Sequence, residues 1–129
     1  MLGVPRPDRG TGRQRLRRNE ESPRCVPARC GKRRRVGLGE VFSNFPKVGA
    51  EHRARLVDSN FAPLLIGMAA DDPAPVRALL VERTRRMAIQ CGEPGPFAQI
   101  AGAVDQALSD IAARREGVPL WKHLGGRRA

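Results

Sequence analysis

FAQIAGAVDQALSDIAARREGVPLWKHLGG, residues 97–126, decides the fold. Phe97, Ile100, Ala101, Val104, Leu108 and Ile111 recur at spacings of three and four, so they share one face of a helix. Gln99, Gln106, Asp110 and Arg114 fall on its other sides. Pro96 stands at the start, where a missing N–H costs nothing, and Gly117 stands where the helix should stop. Pro119 opens a short second turn with Leu120, Trp121 and Leu124, which the Gly125-Gly126 pair ends. The pattern predicts a long buried helix, a tight turn and a short helix.

Upstream, Gly92-Glu93-Pro94-Gly95-Pro96 reads as a turn. It lacks the Gly-Lys-Ser/Thr ending of a phosphate cradle. Asp71-Asp72-Pro73 is a helix start: an Asp cap, a Pro in the first turn, and negative charge at the positive end of the dipole. That helix is expected to reach about Gln90, with Val76, Leu79, Leu80 and Met87 on its apolar face. Arg83 falls inside the stripe, so either its stem runs past its neighbours to water or its guanidinium meets a partner surface. Arg85 and Arg86 read as a solvated face near a helix C-terminus.

Glu51 to Ile66 reads as a helix with a break. Leu56, Val57, Asn60, Phe61, Leu64 and Leu65 give the apolar face, Pro63 bends or ends the first part, and Gly67 terminates it. His52 has no evident Ser, Cys or carboxylate partner, so no base role is assigned to it. Residues 41–49, VFSNFPKVG, form an irregular loop, and Gly37 to Phe42 reads as a short strand.

Charge divides the chain. Residues 1–35 hold twelve Lys/Arg against Asp8, Glu20 and Glu21, whereas residues 36–129 hold twelve against ten Asp/Glu. The predicted organisation is therefore a basic leader, 1–35, joined to a nearly neutral body, 36–129. No run of about eighteen apolar residues occurs, so no membrane span is expected. The leader also lacks the apolar stretch of a signal peptide. Eleven Arg, four Pro, four Gly and one Ala dominate it, and such a segment cannot bury enough apolar surface to offset ordering entropy. It is expected to be disordered.

Three accounts of the leader compete. One is a nucleic-acid-binding arm ending in Lys32, Arg33, Arg34 and Arg35; without an aromatic residue to stack on a base, its binding would be non-specific and salt-sensitive. Another is a plain solvated tail. The third is a GC-rich gene read in a shifted frame, since codons of only G and C encode Arg, Pro, Gly and Ala. Three cysteines give no disulfide framework. Cys25 and Cys30 fall within zinc-ligand spacing, but Cys91, His52 and His123 are scattered, so solvated thiols are the expectation, no metal site is assigned, and a cytoplasmic location follows.

The order of residues carries more than their period. Asp105-Gln-Ala107-Leu108-Ser-Asp110-Ile111, then Gly117-Val-Pro119-Leu120-Trp121, then Leu124-Gly125-Gly126, resembles the end of the N-terminal capping domain in the mandelate racemase/muconate lactonizing enzyme family of the enolase superfamily. Ser109 stands where that family usually has Trp. Gly37-Leu38-Gly39-Glu40 matches the end of the family's third strand. The family's first two strands should lie upstream, where no alternating β pattern is found; this favours the shifted-frame account.

The resemblance implies a mainly α fold: a three-helix bundle remnant of an α+β capping domain, with a short strand or hairpin remnant before it and a disordered basic N-terminus. It also implies that residues 41–49 form the substrate-specificity loop, with Asn44, Phe45 and Lys47 as candidate contacts. Members of the family remove the proton next to a carboxylate with a Lys or His base, and bound Mg²⁺ stabilises the anion so formed. Those groups lie on an α/β barrel that takes roughly 200 residues or more. No catalytic residue and no metal ligand can be carried over to this chain. The expectation is a capping domain inactive by itself, with Mg belonging to the full-length family. Its partner would be the missing barrel, or a second copy through exposed apolar helix faces. The alternatives are the basic-armed nucleic-acid binder and a helical oligomerising interaction protein.

Overall fold

The computed structural model describes residues 25–30, 35–43, 46, 48–69 and 71–127. Two antiparallel strands, β1 (Cys25–Cys30) and β2 (Arg35–Glu40), form a hairpin. Helix α1 (Gly49–Leu56) runs through a π turn (Val57–Phe61) into α2 (Ala62–Leu65). The long helices α3 (Pro73–Gln90) and α4 (Pro94–Glu116) follow, and α5 (Leu120–His123) closes the described chain. The fold is mainly α with a short hairpin before the helices.

β1 corrects one expectation. The leader was expected to be disordered through residue 35, yet Cys25–Cys30 pairs with β2, with Pro27 opposite Leu38 and Val26 opposite Gly39. The backbone hydrogen bonds of β2 supply the order that the leader's composition could not signal. Residues 1–24 and 31–34 lie outside the described residues.

α4 is the organising element. Phe97, Ile100, Ala101, Val104, Leu108 and Ile111 are all buried, as their spacing predicts, and Ala103, Ala107 and Ala113 join them. The phenyl ring of Phe97 meets Phe61 at 5.6 Å between centroids, tilted 47°, a favourable offset geometry for aromatic pairs. Gly117 ends α4 at φ 71°, and Val118 N donates to Ala113 O at 3.0 Å. This left-handed cap is open to glycine at no steric cost. The helix begins at Pro94, two residues before the predicted start, because the first turn needs no N–H from either proline.

β2 crosses α4 at close range. A Cβ on Gly39 would run into Ala103 O, and one on Gly37 into Ala107 O, with Ile111 Cγ1 at 2.7 Å. The two repeats match: every fourth helical residue rises about 6 Å and every second strand residue about 6.7 Å. Gln106 and Asp110, placed off the apolar face by sequence, use this match. Gln106 Oε1 accepts Glu40 N at 2.9 Å, and Asp110 Oδ2 accepts Leu38 N at 3.0 Å. Two outward amides of the edge strand are thereby satisfied by the helix beneath it.

α3 packs on α4 through Val76, Leu80, Thr84 and Ala88, one residue per turn. Thr84 enters this row because its hydroxyl donates to Leu80 O at 2.7 Å. Met87, expected on the buried face, is instead 48% exposed; near the helix end the row drifts toward Ala88. Arg83 is exposed. Asp72 caps the helix as predicted, its Oδ1 accepting Ala74 N at 3.0 Å.

The first helical run does not break at Pro63. It loosens ahead of it, where Ala62 N bonds to Val57 O across a π turn. A proline cannot donate to the carbonyl one turn back, and the wider turn accommodates it. Val57, Phe61 and Leu65 still reach the core.

Candidate functional site

The candidate specificity segment lies between β2 and α1. Glu40 ends β2 over α4, Val41 enters the core, Phe42 turns outward, and Ser43 turns in. Asn44, Phe45 and Lys47, the candidate substrate contacts, lie outside the described residues, as do Lys32, Arg33 and Arg34; Arg35 opens β2. On the far side, Gly49 N donates to Pro46 O at 2.8 Å and α1 begins.

Ser43 is 7% exposed, and its Oγ is the one buried side-chain oxygen or nitrogen among the described residues without a hydrogen-bond partner. It packs against Gly49, where a Cβ would collide with it. Buried hydroxyls normally find a partner. This one is spent on fit: the small Gly49 lets the chain reverse tightly into α1.

α1 is fastened to α4 mainly by polar side chains. Arg53 Nε donates to Gln99 Oε1 at 2.7 Å while its Nη1 donates to Gly49 O at 3.1 Å. His52 Nε2 lies 2.9 Å from Glu93 Oε2. The sequence offered no carboxylate partner for His52. The partner comes from the α3–α4 turn, forty-one residues away, which local spacing cannot show. Both groups of this pair are partly solvated, 41% and 33% exposed, so it is a surface tie and not an acid–base dyad in a cleft.

At the other end of the helical body, Pro119, Trp121, Lys122, Gly126 and Arg127 line an open groove of about 580 Å³. Trp121 is 44% exposed and Leu124 67% exposed. His123 Nδ1 lies 3.0 Å from Glu116 Oε2.

The donors for a divalent cation do not converge. Among the described residues, no three of His, Cys, Asp or Glu stand close enough to hold a metal ion. Asp110 is occupied by Leu38 N and by Arg114 Nε at 2.9 Å, and Asp71 by Arg115. A Mg²⁺ site needs carboxylates gathered with open water positions, and these residues do not fit that need. Among the described residues, no helix is long and apolar enough to cross a membrane.

A two-stranded edge laid on a long helix through a Gly-x-Gly crossing, followed by a helical body, defines an enolase-like capping domain. Comparison with known proteins agrees. Residues 35–125 match the family model described as mandelate racemase/muconate lactonizing enzyme, N-terminal domain. The chain belongs to the mandelate racemase/muconate lactonizing enzyme family, as its N-terminal domain.

Among solved structures, a mandelate racemase/muconate lactonizing enzyme from Bordetella bronchiseptica RB50 is 49% identical, with a TM-score of 0.72 over 89% of this chain and 32% of that one. A member of the enolase superfamily from Agrobacterium tumefaciens is 27% identical, with a TM-score of 0.63 over 79% of this chain and 24% of that one. This chain therefore spans a third or less of the length of either. No curated protein matches it.

Proposed function

We propose that this chain is the substrate-specificity cap of an enzyme that removes the α-proton of a carboxylate, and that residues 1–129 have no such activity alone. The family reaction would be the Mg-dependent racemisation, dehydration or cycloisomerisation of sugar or hydroxy acids. What supports the proposal is the match of residues 35–125 to the N-terminal domain of the family. Among the described residues, Asp71, Asp72, Glu93, Asp110 and Glu116 are engaged in a cap, a strand contact or ion pairs, and no three of His, Cys, Asp or Glu gather. Asn44, Phe45 and Lys47 are the proposed substrate contacts, and a barrel covering the α5 end is the proposed partner. A cytoplasmic location goes with this proposal.

The test is solvent isotope exchange. The purified chain with Mg²⁺ and a panel of sugar and hydroxy acids in deuterated water is expected to leave every α-proton in place by NMR. Exchange above the protein-free control would overturn the proposed inactivity. The capping role is tested by joining this chain to a family barrel. Lys47→Ala in the joined protein is expected to change the ranking of substrates by kcat/KM; an unchanged ranking across the panel would count against the loop's role.

A further inference from the structure

α1 differs from the other long helices in what holds it. α3 and α4 bury four and ten residues, whereas α1 buries only Gly49. Leu56, at its last position, is partly buried against the core. The remaining ties to α4 and its entry turn are two side-chain contacts, His52 with Glu93 and Arg53 with Gln99. Elements with few buried apolar contacts open at lower free energy than the global core.

Its C-terminal end is built to bend. The π turn Val57–Phe61 replaces the regular ladder, Ser59 Oγ takes up Arg55 O at 2.7 Å, and Pro63 supplies no N–H. The turn is itself anchored in the core by Val57 and Phe61, at 6% and 0% exposure, and beyond it Leu65 is buried at 4%. The irregular turn, held in the core, therefore marks the boundary between a weakly held helix and a firmly held one.

We propose that α1 is a latched flap: it swings as a unit about the π turn when the His52–Glu93 and Arg53–Gln99 contacts release, while α3 and α4 stay folded. The flap begins at Gly49, whose N donates to Pro46 O. Its swing is independent of whether the family's substrate role applies to this chain.

Hydrogen exchange with mass spectrometry on the whole chain tests it, comparing peptides from 49–56 with peptides from 100–111. In the wild type, the α1 amides are expected to exchange while the α4 amides remain protected. Glu93→Ala or Gln99→Ala removes one contact of ordinary net strength and is expected to speed α1 exchange about three- to tenfold. The α4 rate should not move. Glu93→Gln keeps an oxygen facing His52 and is expected to restore most of the protection. Glu116→Ala, which unties the other His–Glu pair, should leave α1 exchange unchanged. Equal rates for the two segments in the wild type would overturn the flap. So would latch variants that leave α1 exchange within about twofold of wild type, or that speed both segments together.

Discussion

Gly39 and Gly37 show how much one missing methyl group can decide. Both lie where β2 crosses α4, and a side chain at either would meet a helix carbonyl, which cannot swing aside. Gly39→Ala is therefore expected to destabilise the chain by about 1–3 kcal/mol, the usual range for forcing atoms into a filled contact. Gly102 is the control: it sits inside α4 with nothing within 4 Å of its would-be Cβ. Gly102→Ala should stabilise by about 0.5–1 kcal/mol, since alanine loses less backbone entropy in a helix. Urea titrations of the two variants are expected to move the midpoint in opposite directions, and a shared direction would contradict the crossing geometry. Ser43 offers a third test at this scale. Its buried hydroxyl has no partner, so Ser43→Ala removes an unmet desolvation cost of about 1–3 kcal/mol. The midpoint should hold or rise, and a clear fall would mean that the hydroxyl has a partner in solution.

Among the elements, α3 has the plainest local logic. Asp72 closes its first turn onto Ala74 N, and Pro73 follows at a position where no donor is needed. Asp72→Ala is expected to cost about 1 kcal/mol, read as a lower midpoint with little change in the helical circular-dichroism signal at low denaturant. This cap, and the buried face of α4, were legible in the sequence because both depend on residues within a few positions of each other. What was not legible depends on distant partners. Gln106 and Asp110 could be placed only off the apolar face, and their role appears when the strand 66 and 72 residues earlier is laid across them. β1 could not be read at all: its six residues CVPARC contain a proline and sit in an arginine-rich leader, so neither alternation nor β propensity marks them. Met87 followed an apolar rule that ignores how a narrow contact row precesses along a straight helix.

Across the whole molecule, exposed large apolar side chains occur on the strand, the loop and the helices, and two of them mark the α5 end. Trp121 and Leu124 stand exposed around α5, just after the Gly117 turn that ends the organising helix. Trp121 is the chain's only tryptophan, so its fluorescence reports on that end alone. An exposed indole that shares its groove with Lys122 and Arg127 should attract anionic quenchers and repel cationic ones. Iodide is therefore expected to quench Trp121 more steeply than caesium does, and added inert salt should narrow the gap as screening shortens the reach of the charge. If copies of the chain cover this end in one another, quenching should instead fall as protein concentration rises, with sedimentation shifting in step. If a barrel is the natural cover, the isolated chain should stay quenchable at all concentrations. Joining it to a family barrel should then shield Trp121 from both ions. An indole still open to iodide in the joined protein would show that the α5 end faces water, and that the cap docks through another surface.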